Sequence, residues 1–413
     1  MAARKLGIVA DDLTGAMDSS GYFASLGFST VVVLDPNFSS DAAVLVITTN
    51  SRAEAPEVAR ERVRQAMRGM AGRVVYKKID STLRGNIGEE LKVAVEAMAS
   101  EKAVVAPAFP AVGRTTADGI LLVNGVPVAE TQFANDPISP VKESSIPCLL
   151  ERSMSRKVGC VSIGEIEAGP EALKKAISNR SENIIVCDVA EQSHLSGIAR
   201  AAALAEGRWL LCGSGGLARE MHQLLDDALK VKKTPSKNKM VGSALVVVGT
   251  RNQVAAGQLL KARDELGIPV LNLETEKLNS EQILSGRLES ISGEVDKLMG
   301  GGKGLAISSA FSQYMPALKQ SMPGVMAEMV AGILASHKFA GLFLSGGDIA
   351  VEVCRRFRVS AIQVNGEVEP GVPAGELIGG QYPGMRVVTK AGGFGTEEAM
   401  VKSITYLERG GVS

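Results

Sequence analysis

Short runs of β-branched and aliphatic residues recur along this 413-residue chain, each followed by a longer amphipathic stretch. That alternation is the strongest constraint on the fold, because strands that are apolar throughout must be covered on both faces. Strand candidates in the first half are Leu6–Ala10, Thr30–Leu34, Val44–Thr48, Arg73–Lys77, Ala103–Ala106, Ile184–Cys187 and Trp209–Cys212. Helical sequence falls near Thr14–Leu26, Pro56–Met70 and Gly88–Ala99. Around residues 230–242 the composition shifts to a basic, polar stretch with a proline, which reads as a linker. The alternation then restarts, with strands at Ala244–Val248, Pro269–Leu273, Gly304–Ser308, Gly341–Ser345 and Val387–Lys390 and helices at Gln253–Leu266 and Ile349–Phe357. The expected architecture is α/β. It has two domains, each a mainly parallel sheet covered by helices, with the active site in the interdomain cleft. The expected boundaries are residues 1–232, a linker at 233–242, and residues 243–413.

Composition narrows the function classes. Lys plus Arg number 45 and Asp plus Glu 45, so the formal net charge is zero, and aromatics are only 4%. A nucleic-acid binder usually carries excess basic charge and stacking aromatics, so none is expected as a partner. No apolar run approaches the roughly 20 residues of a membrane span, so no membrane partner is expected. The amino-terminal segment lacks the longer apolar stretch of a signal peptide, and the expected location is the cytoplasm. The cysteines, Cys148, Cys160, Cys187, Cys212 and Cys354, are dispersed and read as reduced thiols that mostly fill the core. The histidines, His194, His222 and His337, lie too far apart in sequence to suggest a zinc cage.

Ligands of open α/β sheets bind outside the carboxyl ends of strands, so the residues just after each strand are the chemical candidates. Asp11 and Asp12 follow the first strand and precede a helix. One can cap that helix while the other accepts a substrate hydroxyl or holds a metal. Arg52 follows the third strand; such an arginine is either a solvated surface residue or a bidentate anion ligand. Lys77-Lys78-Ile79-Asp80-Ser81-Thr82-Leu83-Arg84-Gly85-Asn86 packs two Lys, an Asp, two hydroxyls, an Arg and an Asn into one loop. An ordinary connection needs no such density of donors, and the loop suits a small polyhydroxylated anion. Gly113-Arg114-Thr115-Thr116, with the Asn124-Gly125 and Asp136-Pro137 turn signals behind it, reads as a hairpin flap or an ordered excursion. Gly213-Ser214-Gly215-Gly216 is either an anion-binding turn or a structural one.

In the second half, three glycine-bearing turns each lead from a strand into a helix. They are Gly249-Thr250-Arg251-Asn252, Gly346-Gly347-Asp348-Ile349 and Gly392-Gly393-Phe394-Gly395. Together they point to a phosphate cradle of backbone N–H groups and helix amino termini, and so to a nucleotide. Gly300-Gly301-Gly302-Lys303-Gly304 resembles a Walker A loop but has Lys297 at the position of its first glycine and Gly304 in place of the hydroxyl residue. No convincing dinucleotide fingerprint is present either.

These motifs resemble a known family. Ile8-Val9-Ala10-Asp11-Asp12-Leu13-Thr14-Gly15 is similar to the opening of the four-carbon acid sugar kinases, and Lys77 to Asn86 to their most distinctive loop. Leu344 to Ala350 and Thr389 to Gly395 are similar to segments of the family's second half, so the resemblance spans nearly the whole chain. Gly113 to Thr116, Val123 to Pro127 and Glu130 to Pro137 look most like the branch acting on D-threonate. The resemblance implies a sugar-acid domain followed by an ATP-binding domain, with Mg²⁺ as the accompanying ion. It implies Arg52 or Arg84, with Lys78, on the substrate carboxylate, and Asp12 and Asp80 holding or deprotonating hydroxyls. Ser81 completes the expected substrate site. Thr250, Gly346, Gly347, Asp348, Ile349, Gly392 and Gly393 are the expected ATP site, with Asp348 the metal candidate. Many relatives have Ser where this chain has Thr250, which keeps the hydroxyl; Arg251 and Asn252 also depart from the usual small residues.

The alternatives within the family are D-erythronate and a 3-oxo-tetronate as substrate. Outside it stands a sensor that binds sugar acid and nucleotide without turnover, against which Asp11, Asp12, Asp80 and Asp348 all speak. Self-association into a homo-oligomer stays open. From the basic stretch comes one prediction: limited proteolysis cuts first at residues 230–242, and MgATP with sugar acid slows the cut. First cleavage deep inside either half removes the linker assignment.

Overall fold

The computed structural model describes residues 3–136, 138–231, 242–273, 293–299, 304–312, 318 and 321–409. The expected linker lies outside the described residues apart from Gly242, as do Pro137 and residues 300–303 of the Walker-like stretch. The chain divides into two compact units, Met1–Ser19 with Phe28–Val231, and Ser20–Gly27 with Lys232–Ser413.

The first unit contains β1 (Leu6–Ala10), α1 (Leu13–Ser25, whose second half clusters with the other unit), β2 (Thr30–Val33) and β3 (Val44–Thr48). It continues with α2 (Pro56–Arg68), β4 (Val74–Lys78), α3 (Ile87–Met98), β5 (Lys102–Ala106), β6 (Arg114–Ala117), β7 (Ile120–Val123) and β8 (Val126–Pro127). Then come α4 (Ile146–Met154), β9 (Val158–Val161), α5 (Ile163–Glu167), α6 (Pro170–Asn179), β10 (Ile184–Cys187), α7 (Gln192–Ala203), β11 (Trp209–Gly213) and α8 (Gly215–Glu220). Its main sheet runs β2-β3-β1-β4-β11-β5-β10-β9, and every pairing in it is parallel. All five residues of β1 are buried, as a strand covered on both faces requires.

From β1 the chain runs outward to β2, returns through β3, and then crosses to β4 on the other side of β1. That reversal is a topological switch point, where the loops after neighbouring strands diverge and leave a crevice. Ala10 lies level with Thr48 of β3 and Lys78 of β4, so Asp11, Thr49 and Ile79 leave the sheet side by side. One face is covered by α2, whose buried Ala59, Val63, Ala66 and Met67 form a helical stripe packed on α3.

Strands β6, β7 and β8 form a separate antiparallel sheet. The residues between its strands, Asp118-Gly119 and Asn124-Gly125, have φ of 50° and 73°, and 50° and 82°. Two consecutive positive values are the type I′ geometry that tight hairpins favour, which is what the Asn-Gly pair signals. The Asp188 carboxylate accepts the Asp118 and Gly119 N–H groups at 2.9 Å each, tying the first turn to the segment after β10.

The second unit contains β12 (Ala244–Val248), α9 (Gln253–Leu266), β13 (Val270–Asn272), α10 (293–299), β14 (Leu305–Ser308), α11 (Met322–Ser336) and β15 (Gly341–Ser345). After them come α12 (Gly347–Arg356), β16 (Ala361–Glu369), β17 (Val372–Ile378), β18 (Arg386–Lys390) and α13 (Ala399–Arg409). Strands β13-β14-β12-β15-β18 are parallel, and β17 and β16 continue the sheet antiparallel. Both units are therefore α/β with mainly parallel sheets.

The expected strands and helices are present, with ends displaced by one or two residues. The hairpin β16–β17 was not anticipated, although its signal is plain. Residues 361–369 largely alternate apolar and polar, and Pro370-Gly371 follows, with Gly371 at φ 81° as a type II turn needs. Helices α4, α5, α6 and α11 and strand β9 were also not anticipated. Cys187, Cys212 and Cys354 are buried core residues, while Cys148 and Cys160 are exposed.

Beneath the switch point is a fully buried ion pair, Lys77 Nζ on β4 to Glu90 Oε2 on α3 at 2.8 Å. Lys77 Nζ also donates to the Lys78 carbonyl, and Glu90 Oε1 accepts from Ser51 Oγ at 2.6 Å. Ser51 Oγ in turn contacts Thr49 Oγ1 at 2.7 Å, which donates to the Ala10 carbonyl. One polar chain thus joins the ends of β1, β3 and β4 to α3. Glu90→Ala leaves the Lys77 ammonium buried alone and should cost roughly 3–5 kcal/mol in urea denaturation. The double variant Lys77→Met, Glu90→Leu should recover most of that loss. A single variant as stable as wild type contradicts the pairing.

Candidate active site

The switch-point loops bring four charged side chains together. Arg52, after β3, donates through Nε to Asp11 Oδ2 at 2.8 Å and through Nη2 to Asp11 Oδ1 at 2.9 Å. The same Nη2 reaches Asp12 Oδ1 at 2.7 Å, and Nη1 lies 3.5 Å from Asp80 Oδ1. Backbone bonds align the pair, because Ser51 N–H and Arg52 N–H both donate to the Asp11 carbonyl. One guanidinium therefore serves three carboxylates from the ends of β1 and β4. Its Nε and Nη2 are thus committed to Asp11 and Asp12, and Nη1 is the part of the guanidinium with the longest contact.

The three carboxylates differ in environment. Burial would raise Asp11, but Arg52 and the ammonium groups of Lys77 and Lys78 outweigh it and hold the carboxyl below its ordinary value. Asp12 is raised: burial is the largest cause, Arg52 opposes it, and the neighbouring Asp11 charge reinforces it. Asp12 also caps α1, since its Oδ1 accepts Gly15 N–H at 3.1 Å. Asp80 is held well below the usual carboxylate range; burial works against ionisation, and Arg52, Arg84 and Thr82 overcome it. Its Oδ2 accepts Thr82 N–H at 3.1 Å, the Thr82 hydroxyl, and Arg84 Nε at 2.9 Å, while Oδ1 accepts Arg84 Nη2 at 3.0 Å. A carboxylate with that many donors is a poor proton acceptor, and Asp80 is tied into its own loop by them.

The Asp80–Arg84 pair closes the loop on itself, and Leu83 at φ 63° and Gly85 at φ 94° supply its bends. Arg84 lies over the Phe133 ring, with its Nη1 3.4 Å from Asp136 Oδ2. Lys78 is buried, and its ammonium donates to the Ile79 carbonyl at 2.9 Å. No ion-pair partner is found for it among the described residues, which leaves two donors for a ligand. Ser81 is half-buried in the same loop. Arg114, opening β6, feels the Asp80 and Arg84 charges, which places the base of the hairpin beside this loop. The Gly213–Gly216 turn is structural. A side chain at Gly213 would sit 2.3 Å from the Ala106 carbonyl oxygen, and one at Gly216 2.8 Å from that of Ala108.

In the second unit the three glycine turns follow β12, β15 and β18, which are adjacent. Gly249 N–H donates to the Ser345 carbonyl and Gly346 N–H to the Lys390 carbonyl. A side-chain carbon at Gly392 would lie 2.6 Å from Thr250 Oγ1, and one at Gly393 3.3 Å from Asn252 Nδ2. Gly346, at φ 114°, would place one 3.7 Å from the Thr250 nitrogen. Thr250, Gly346, Gly392 and Gly393 thus converge. Gly347 and Asp348 open α12 with Asp348 exposed, while Ile349 is buried and packs under Gly249.

Several residues here escaped the sequence reading. Glu90, Thr82 and Asp136 belong to the first site, and Asn252, Gln258, Glu369 and Lys390 to the second. Thr82, Asp136, Asn252 and Lys390 stood inside segments already singled out; Glu90, Gln258 and Glu369 lie on other elements, with no local signal.

Residues 6–221 match the model of a sugar-binding N-terminal domain, and residues 245–400 that of a nucleotide-binding C-terminal domain. The chain is 32% identical to the D-threonate kinase of Salmonella typhimurium, over 98% of each chain. It is 31% identical to the D-erythronate kinase of Heliobacterium modesticaldum, over 97% of this chain and 96% of that one. A crystal structure of a Salmonella typhimurium LT2 protein has the same fold, with a TM-score of 0.80 and 23% identity over 97% of this chain and 98% of that one. No helix among the described residues is long and apolar enough to cross a membrane. By these full-length matches, and by the two domain models in this order, the chain belongs to the four-carbon acid sugar kinase family.

Proposed function

We propose that the protein transfers the γ-phosphoryl group of ATP to the 4-hydroxyl of D-threonate, yielding D-threonate 4-phosphate and ADP. The observation that carries this reading is the cluster at the ends of β1, β3 and β4. It holds a carboxylate raised by burial, Asp12, close enough to Lys78 for their charges to act on each other. A sugar acid needs a cation for its carboxylate and a base for its hydroxyl, and this cluster supplies both kinds of group. The full-length likeness to a D-threonate kinase at 32% identity supports the substrate, and the likeness to a D-erythronate kinase at 31% makes the other epimer the second reading.

In this mechanism Lys78 and the outer Nη1 of Arg84 hold the carboxylate, with Ser81 bonding a hydroxyl. Arg52 and Asp80 fix the frame. Asp12 takes the proton of the 4-hydroxyl as its oxygen bonds to the γ-phosphorus and the bond to the ADP oxygen breaks. Phosphoryl transfer rests mainly on positioning and charge neutralisation. ATP is assigned to the turns bearing Thr250, Gly346, Gly347, Ile349, Gly392 and Gly393. Mg²⁺, when bound, neutralises the phosphates. The residues present fit an ion held mostly by those phosphates, with Asp348 as its protein ligand, since among the described residues no group of three acidic, His or Cys side chains could hold a metal alone.

The test is a coupled ADP-release assay over D-threonate, D-erythronate and 3-oxo-tetronates, with D-threonate expected to give the highest kcat/KM. Preference for another acid moves the substrate; no release with any of them leaves the sensor reading. Asp12→Asn should lower kcat by roughly 10²–10⁴-fold with a folded protein, since Asn still caps α1. Because Asp12 is raised and must be ionised to accept a proton, wild-type activity should fall away on the acid side at a higher pH than an ordinary aspartate would set. Near-normal turnover of Asp12→Asn makes Asp12 a cap only. Gly392→Ala should weaken ATP binding by about tenfold or more in titration calorimetry, by displacing the Thr250 hydroxyl and filling the cradle. Unchanged affinity removes that turn from the ATP site.

A further inference from the structure

Lys390 ends β18 and is 1% exposed, one of the largest fully buried side chains among the described residues. Its ammonium donates to three carbonyls of the glycine turn that follows it: Ala391 at 2.9 Å, Gly392 at 2.9 Å and Phe394 at 3.0 Å. A ring of backbone carbonyls is the surrounding that a bare monovalent cation would choose. Here the cation is tethered. Among the described residues no peptide bond is cis, and in a trans peptide the N–H points opposite to the C=O. Gathering those three carbonyls on one side therefore turns the N–H groups of Gly392, Gly393 and Gly395 to the other side. Among the described residues, neither Gly392 nor Gly393 donates a backbone hydrogen bond. Their glycine faces meet Thr250 and Asn252, the side assigned to the nucleotide.

We propose that Lys390 is the positioning residue of the nucleotide site, a built-in cation that holds the 391–395 turn so that its amides face the phosphates of ATP. This rests on the assignment of ATP to the second unit. Lys390 itself touches no substrate. The far end of the turn is held separately: Glu369 accepts Thr396 N–H at 2.6 Å, and Gln258 donates to the Thr396 carbonyl at 2.7 Å. Gln258 Nε2 also reaches the Phe394 and Gly395 carbonyls, at 3.2 and 3.4 Å, so the side chain that gathers the Ala391 and Gly392 carbonyls is Lys390.

The arrangement makes the site sensitive to pH. Burial pushes the Lys390 ammonium down to about 8, with only the Glu369 carboxylate opposing it. Glu369 is itself paired with Lys402 of α13 at 3.0 Å. Of the neighbouring strands, β15 carries no charge, and Glu376 of β17 lies level with Arg386 at the far end of β18. Asp348 at the start of α12 is exposed. Above about 8 the amine has lost its charge and one of its three donors, and the turn loosens. Folding responds in the opposite sense. In the unfolded chain Lys390 keeps its proton up to the ordinary 10.5, so between about 8 and 10.5 its contribution to stability rises with pH. Nucleotide affinity falls while the fold is, from this group, relieved of a buried charge.

The experiment measures MgATP affinity by titration calorimetry on the full chain across this pH range, with melting temperatures alongside. Wild-type affinity should be level below about 8 and decline above it. Lys390→Met should bind roughly tenfold or more weakly, with no decline across the range. In Lys390→Ala, methylammonium, but not sucrose at equal osmolarity, should restore part of the affinity. Wild-type affinity level through the whole range, a Met variant that binds as wild type, or a decline that persists in the Met variant overturns the proposal. Should the variants not fold, the wild-type profile decides alone. Absence of MgATP binding by wild type at every pH instead overturns the nucleotide assignment itself.

Discussion

The Arg52 guanidinium, set among Asp11, Asp12 and Asp80, is the contact on which the first site depends. Three carboxylates from two adjacent strand ends would repel one another and draw protons. One arginine with a planar set of donors allows two of them to stay ionised while the third is left raised. A lysine could not replace it, because a point charge cannot satisfy Asp11 through two parallel bonds and still reach Asp12. The site is thus an arrangement of unequal acids produced by a single cation, and the division of labour between Asp12 and Asp80 follows from how many donors each receives.

Buried lysines at strand ends recur in both units. Lys77 bonds the Lys78 carbonyl and pairs with Glu90, Lys78 bonds the Ile79 carbonyl, and Lys390 collects three carbonyls of its own turn. A turn leaving a parallel strand exposes carbonyl oxygens that no neighbouring strand can satisfy. An ammonium on a four-carbon stem reaches back to them from the last residue of the strand. In the first unit this stiffens the platform under the acids; in the second it orders a turn that has too many glycines to order itself.

Much of this was legible in the chain. The switch-point loops showed themselves because charged residues crowd where apolar strands stop, and Asp12, Lys78, Asp80, Ser81 and Arg84 were named for that reason. The glycine turns showed themselves through spacing alone. What stayed hidden were partners contributed by distant elements. Glu90 looks like an ordinary helix acid, and Glu369 like the end of an alternating strand. Lys390 looked like the last residue of its strand, because its role depends on the backbone path of the next four residues.

Local pattern therefore determined the α/β class, the parallel sheets and the strand ends that carry chemistry, since apolar runs and glycine or acidic turns are properties of neighbouring residues. Tertiary structure decided which strand ends meet, and so which charges share one guanidinium. It ties Arg52 to Asp11 and Asp12 and gives Asp80 donors from Thr82 and Arg84, and a carboxylate's affinity for a proton is set by the donors around it. Those donors come from chain segments that only the fold brings within hydrogen-bonding distance.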